Sequence, residues 1–293
     1  MLWAIFTVIA ATAQTARNTM QRSLTAELGT IGATLVRFLF GFPFGLALLG
    51  FALMVTGEVL PPLSAAFWLW ALAGGACQVA ATALMLKAMT SRSFVVTTAY
   101  TKTEPVQVAL FGLLFLGDSL TPPLIAGILI ATSGVMILGW PKTRESSEGY
   151  GPALLGIAAG GLFALSAIGF RGGIHSLASG SSWLKASTML ACGLGLQTLG
   201  LLAYLLIRDR ATLAAIGRAW RPSLLAGLMG AAASQFWFLG FALTTAARVR
   251  TLALIEVLFA YAISGKILKE PMTPRDIAGI ALVVIGVALS LNA

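Results

Sequence analysis

Charge is what this chain has least of. Only 10% of its 293 residues are Asp, Glu, Lys or Arg, against roughly a quarter in ordinary soluble domains. That is too little to wet the surface of a water-soluble fold. Histidine is nearly absent, His175 being the only one, and the two cysteines, Cys77 and Cys192, are far apart inside apolar runs. A histidine triad or an HExxH metal site therefore has little to work with. Without CxxC spacing neither a zinc site nor a disulfide framework is indicated, and both cysteines read as small buried hydrophobes. No Gly-rich phosphate loop of the Walker type is present, so direct ATP use is not expected, nor is any bound cofactor.

What the chain has instead is apolar length. Hydrophobic residues make up 58% of it and the mean hydropathy is +0.91. Runs of about 20 residues recur from end to end, each able to cross a hydrocarbon core of roughly 30 Å. The short alternating strands of an outer-membrane barrel are missing. The fold class expected is an all-α membrane protein of ten transmembrane helices, near 2–20, 30–55, 64–87, 94–116, 121–140, 151–171, 182–207, 222–244, 247–268 and 274–291. Leu2–Ala10 with Ala11-Thr12-Ala13 looks like a signal-peptide core and cleavage site, but no positive charge precedes it, and its length suits a first span. The net charge of +9 sits mostly at the ends of apolar runs, where bases meet lipid headgroups and set orientation. Without interleaved basic and aromatic residues, nucleic acid is not an expected partner; membrane lipid is.

Pro61-Pro62, Pro122-Pro123, Pro222, Pro271 and Pro274 punctuate the runs, and 141–150 is the longest charged break. It divides the chain into residues 1–140 and 151–293. Sliding the sequence by 152 residues superposes Glu104 on Glu256, Asp118 on Glu270, Thr121 on Thr273, Pro122 on Pro274, Gly127 on Gly279 and Gly134 on Gly286. Arg17 also falls opposite Arg171, at an offset of 154. The halves read as duplicates. Two consecutive five-helix units enter a membrane from opposite sides, so the repeats are expected to be inverted around a central cavity, an arrangement suited to alternating access.

The stretch Glu104-Pro105, then Leu116-Gly117-Asp118-Ser119-Leu120-Thr121 and Gly127 to Gly134, resembles the EamA domain of the drug/metabolite transporter superfamily. Glu256, then Leu268-Lys269-Glu270-Pro271-Met272-Thr273 and Gly279 to Gly286, is similar to a second copy. The resemblance covers essentially the whole chain. It implies a secondary transporter rather than an enzyme, from a family of exporters and importers of metabolites, and an exporter across the cytoplasmic (inner) membrane is expected. The second copy has Val257 where the first has Pro105, so the two halves need not bend alike.

In a fourth helix over 94–116, Glu104 is the eleventh residue, about 15 Å from either end at 1.5 Å per residue. Glu256 takes the matching place in the ninth. Carboxylates at such depth must face the bundle interior, a base or water. Lys102 lies about 200° around the helix from Glu104, so it suits an acid on a neighbouring helix, such as Glu256. Arg37 in the second helix is another candidate base. Pro105 removes a helix hydrogen bond and loosens the backbone beside the charges. Gln78, Tyr100, Gln235, Trp237 and Tyr261 are further candidates to line the same space, as are Gln14 and Gln107. Two readings stay open: buried ion pairs that fix helix register, or a wet cavity binding a small-molecule metabolite, amino-acid-like and polar or amphoteric. In the second, a carboxylate could carry a coupling proton, its pKa set by desolvation against neighbouring cations. Alternatives from other classes are a passive channel or structural membrane protein, and an intramembrane enzyme using the two acids.

The GxxxG spacings Gly41 to Gly45 and Gly156 to Gly160 allow close helix contact and are compatible with a homodimer. Counted by connection, thirteen bases, Arg17 among them, fall on odd-numbered connections and four, Arg171 among them, on even-numbered ones. The positive-inside rule then places both termini outside, whereas the family resemblance implies both inside.

Overall fold

The apolar runs are helical in a computed structural model, which describes residues 1–89, 100–139, 151–258 and 273–293; no strand occurs among them. The expected linker 141–150 lies outside the described residues. Helix α1 spans Leu2–Leu39. Its first part outlasts the expected end at residue 20 because nothing from Leu2 to Leu28 is Gly or Pro. Thr7, Thr12, Thr15 and Thr25 turn their hydroxyls back onto carbonyls four residues earlier, which satisfies them inside the helix. The kink comes at Gly29, whose φ of 68° and ψ of 174° are reached without strain only by glycine.

The expected single helix over 30–55 is interrupted. Helix α1 ends at Leu39 and α2, Phe42–Thr56, restarts with Pro43 in its first turn. Gly41 sits at the break, where a Cβ would lie 3.3 Å from the carbonyl oxygen of Gly227 and 2.5 Å from that of Arg37. The interruption is thus a close backbone crossing. The helices that follow are α3 (Ala65–Met89), α4 (Glu104–Leu116), α5 (Pro122–Leu138), α6 (Gly151–Ser176), α7 (Ser182–Arg208), α8 (Arg210–Arg218), α9 (Trp220–Leu243), α10 (Ala246–Leu252) and α11 (Pro274–Leu291). Six helical stretches among the described residues are long and apolar enough to cross a membrane, the first being the whole of Leu2–Thr56. With the shorter apolar α4 and α5 they make a multi-pass helical bundle. The short α8, not expected as a helix, is started by Asp209, which accepts from the amide and hydroxyl of Thr212 at 3.1 and 2.6 Å.

Most of the packing joins residues before 140 to residues after 151. Helix α1 lies along α9, α3 along α6, and α5 along α11, with α2 against α7 and α4 against α10. Glycines set the closest of these. A Cβ on Gly127 would fall 2.7 Å from the Gly286 carbonyl oxygen, and one on Gly134 2.7 Å from that of Gly279. Helices α5 and α11 therefore run antiparallel, and the four glycines in contact are the repeat-matched ones. Gly74 meets Gly169 in the same way between α3 and α6. Gly41 and Gly45 are spent inside the chain, against α9 and α7, and Gly160 against the carbonyl of Thr101.

Candidate functional site

The fourth and ninth expected helices both break one turn before their acid. Lys102 and Thr103 form a turn ahead of α4, and Ala253 and Leu254 form one after α10, with 255–258 helical again. Tight i to i−3 bonds close both turns: the amides of Thr103 and Val106 donate to Tyr100 and Thr103 at 3.1 Å, and those of Leu254 and Glu256 to Thr251 and Ala253 at 3.1 and 3.0 Å. Pro105, without an N–H, cannot donate to the carbonyl of Thr101, and Gly160 of α6 packs onto that carbonyl. Proline is not the shared cause, because the second break carries Val257 in its place. The break puts Glu104 at the first position of α4, where the positive end of the helix favours a carboxylate.

From these breaks the charged side chains cross between the halves. Lys102 forms an ion pair with Glu256. Arg250 reciprocates toward Glu104, its Nε 3.0 Å from Oε1. Neither atom of that second pair counts a directed hydrogen bond, so it is a charge contact with the N–H aimed elsewhere. The carboxylates keep a little exposure, 14% for Glu104 and 12% for Glu256, and Lys102 keeps 22%. The pairs are thus partly accessible and not sealed in apolar packing.

Beside them is a small cavity of about 70 Å³, walled in part by Gln14, Arg17, Thr101, Lys102, Glu104 and Arg250. That is room for a few waters or one small head group, well below the several hundred Å³ of a typical ligand pocket. Trp237, buried on α9, supports the cavity from behind. Its ring carries the Arg250 guanidinium 4.4 Å from its centroid, and its indole N–H donates to Gln14 Oε1 at 3.1 Å. Arg37 is buried and donates to Thr82 Oγ1 at 2.9 Å, with its guanidinium 5.1 Å from the Phe38 ring centroid.

The remaining sequence candidates lie apart. Gln78 accepts from Gln197 Nε2 at 2.8 Å between α3 and α7, and Gln235 donates to Ser187 Oγ at 2.9 Å between α9 and α7. Both tie helices together, with no part in the cavity wall. Gln107 donates to Thr103 Oγ1 at 3.0 Å and so steadies the first break. The carbonyl of Tyr100 accepts the Thr103 hydroxyl at 2.7 Å. Tyr261 lies outside the described residues.

Arg17 is the site residue that sequence reasoning missed, having been assigned to a connection as an orientation charge. It is 1% exposed, inside α1, and lines the cavity. The signal was present: Gln14, Arg17, Asn18 and Gln21 recur at helical spacing on one face of an otherwise apolar run. Its repeat-matched partner Arg171 was likewise taken as a connection base. It is in fact held inside α6, with Nη1 at 2.6 and 2.8 Å from the two Asp118 oxygens and Nε 3.1 Å from the Thr244 carbonyl.

Comparison with known proteins agrees with this architecture. Twenty-eight chains of solved structures match. One, described only as "Crystal structure of protein", superposes with a TM-score of 0.66 at 15% sequence identity, over 98% of this chain and 95% of that one. At that identity the likeness is one of fold alone. No curated protein matches. The profile of the EamA-like transporter family matches residues 1–140 and again 152–292. With nearly every residue inside one of those two matches, the chain belongs to the EamA-like transporter family, a family of membrane transporters of the drug/metabolite type.

Proposed function

We propose that the chain is a secondary transporter that moves a small polar or amphoteric metabolite outward across the cytoplasmic membrane by alternating access. The observation that carries this reading is the crossed arrangement of Lys102 with Glu256 and Arg250 with Glu104 beside a cavity with charged side chains in its wall. Each half supplies one acid and one base from a broken helix, and each acid is met by the other half's base. Antiparallel packing of the repeat-matched helices α5 and α11 supports a relation by inversion, which lets two halves exchange conformations about a central site. Broken helices give the hinges. Solute binding, or protonation of Glu104 or Glu256, would weaken one crossed pair and free the halves to rock.

Export and the inner-membrane location rest on the family resemblance alone. The test is counterflow in proteoliposomes loaded with a mixture of amino acids and organic acids. Saturable exchange is expected in the parent and its loss in at least one of Glu104→Gln and Glu256→Gln, with both variants still monodisperse and cooperatively unfolding. Flux that neither saturates nor shows competition would overturn the reading in favour of a passive channel. Exchange unchanged in both variants would reduce the carboxylates to scaffolding.

A further inference from the structure

Among the described residues, the charges around the cavity do not balance. Four bases gather there: Lys102, Arg250 and Arg17 on its wall, and Arg37 within coulombic range of Arg17 and Arg250. A Cβ built on Gly230 would lie 3.3 Å from Arg37 Cγ and 3.4 Å from Arg17 Cδ, so the two arginine stems flank one glycine of α9. Glu104 and Glu256 are taken up by Arg250 and Lys102. The other acids among the described residues are placed elsewhere. Asp118 holds Arg171, Glu58 holds Ser181, Asp209 and Asp276 cap α8 and α11, and Glu27 is exposed. Arg17 and Arg37 are buried, at 1% and 2% exposure, without a carboxylate among the described residues.

Arg17 also has donors to spare. Its Nη2 donates to Asn18 Oδ1 at 2.6 Å, while Nε and Nη1, both buried, meet no acceptor among the described residues; Arg37 Nε is in the same condition. A guanidinium does not shed its proton under ordinary conditions, and an uncompensated buried cation is costly. Its planar fork of N–H groups fits the two oxygens of a carboxylate or phosphate.

We propose that Arg17, backed by Arg37, binds the oxyanion of the carried solute, which is a small organic acid of net negative charge. This narrows the transport reading above and rests on it. The anion occupies the cavity with its oxygens on Arg17; a cationic metabolite of the same size is repelled by the two surplus positive charges, and a neutral one leaves them uncompensated. The shared chemistry is the oxyanion, and carboxylate and phosphate are separated by the probes.

The experiment measures the melting temperature of the full-length protein in lipid nanodiscs against succinate, inorganic phosphate, leucine and putrescine at matched ionic strength. Succinate or phosphate is expected to stabilise at concentrations where leucine and putrescine do not. The half-saturating concentration should rise at least tenfold in Arg17→Gln, and less in Arg17→Lys, which keeps the charge and loses the fork. Arg37→Gln gives an independent arm if Arg17→Gln does not fold. A larger response to putrescine or leucine, no response to either anion, or an anion response equal in parent and arginine variants would overturn the proposal. Anion stabilisation without counterflow of the same anion would keep the site and overturn transport. Saturable leucine exchange with no anion response would do the reverse.

Discussion

Arg171 shows what a single buried base can hold together. Its guanidinium grips both oxygens of Asp118, after α4, and the carbonyl of Thr244, between α9 and α10. The side chains are 12% and 8% exposed, so removing either partner strands the other's charge in a poorly solvated place. Asp118→Asn or Arg171→Gln should each cost about 3–5 kcal/mol, read from thermal or denaturant unfolding, and the double variant should recover part of that. Glu58 is the contrasting case, outside the spans. Its carboxylate accepts from the Ser181 hydroxyl at 2.7 Å and from the Ser181 amide at 2.9 and 3.1 Å, tying the loop after α2 to the start of α7. Those bonds, the hydroxyl's first, hold its pKa below the ordinary glutamate value. A group depressed on folding contributes above its unfolded pKa and loses that contribution as pH falls through the folded one. The melting-temperature difference between parent and Glu58→Gln should therefore be constant near neutrality and shrink at acid pH, below the ordinary glutamate range. A difference that grew on acidification would contradict the tether. At this scale the sequence was legible where a charge lay deep in an apolar run, as with Glu104, Lys102 and Arg37. It was misleading where a charge lay near a run's estimated end. Arg17 looked like a headgroup anchor only because the first helix was ended eight residues too soon.

Helix ends and breaks depend on a few residues whose effect is decided by their neighbours. Gly29 kinks a helix that runs on through the expected connection 21–29, by its positive φ, and Gly41 interrupts the expected helix 30–55 by admitting α9 against the backbone. Neither differs in sequence from Gly50 or Gly200, which have nothing within 4 Å of a built Cβ and sit in unbroken helix. Pro105 invited the opposite error, since its partner segment breaks with Val257 and no proline. Gly29 too has nothing within 4 Å of a built Cβ and is singled out by its backbone angles, whereas what makes Gly41 necessary is the crossing helix, and that is information from the tertiary level. The contrast gives a paired test. On Gly286 a Cβ would stand 2.4 Å from the Ala131 amide nitrogen and 2.6 Å from the Gly127 carbonyl oxygen. Backbone has no rotamer to yield, so Gly286→Val should separate α5 from α11 and cost about 1–3 kcal/mol or more. Gly200→Ala, in open space on α7, should be neutral or stabilising by up to about 1 kcal/mol. Equal effects of the two on unfolding would mean that the α5–α11 contact is looser than its geometry states.

At the scale of the whole molecule, the internal repeat was visible at an offset of 152, yet repetition alone says nothing of which copy packs on which. The structure answers through pairs that exchange partners. Helix α1 packs on α9 while α3 packs on α6, the repeat-matched helices α5 and α11 meet each other, and α4 lies against α10. Each half therefore keeps few of its helix contacts to itself. Its small-residue faces, such as Gly127 with Gly134 or Gly279 with Gly286, are made to meet the other half's backbone. Helix association in lipid rests on such close packing and on interhelical polar contacts, and the crossed ion pairs add charge contacts across the same boundary. Residues 1–140 and 151–293 made as separate chains should thus assemble when co-expressed, co-purify in mild detergent, and unfold in one cooperative transition. Each alone should be degraded or aggregate, because its interface glycines and its Glu104 or Glu256 would then lack their partners. Charge complementarity sharpens the test. Lys102→Glu in the first fragment should weaken co-purification, and Glu256→Lys in the second should restore it, since that exchange rebuilds the pair with its ends reversed. Fragments that are stable singly and do not associate would mean that the halves are self-sufficient bundles, and that the exchange of partners between them contributes nothing to holding the protein together.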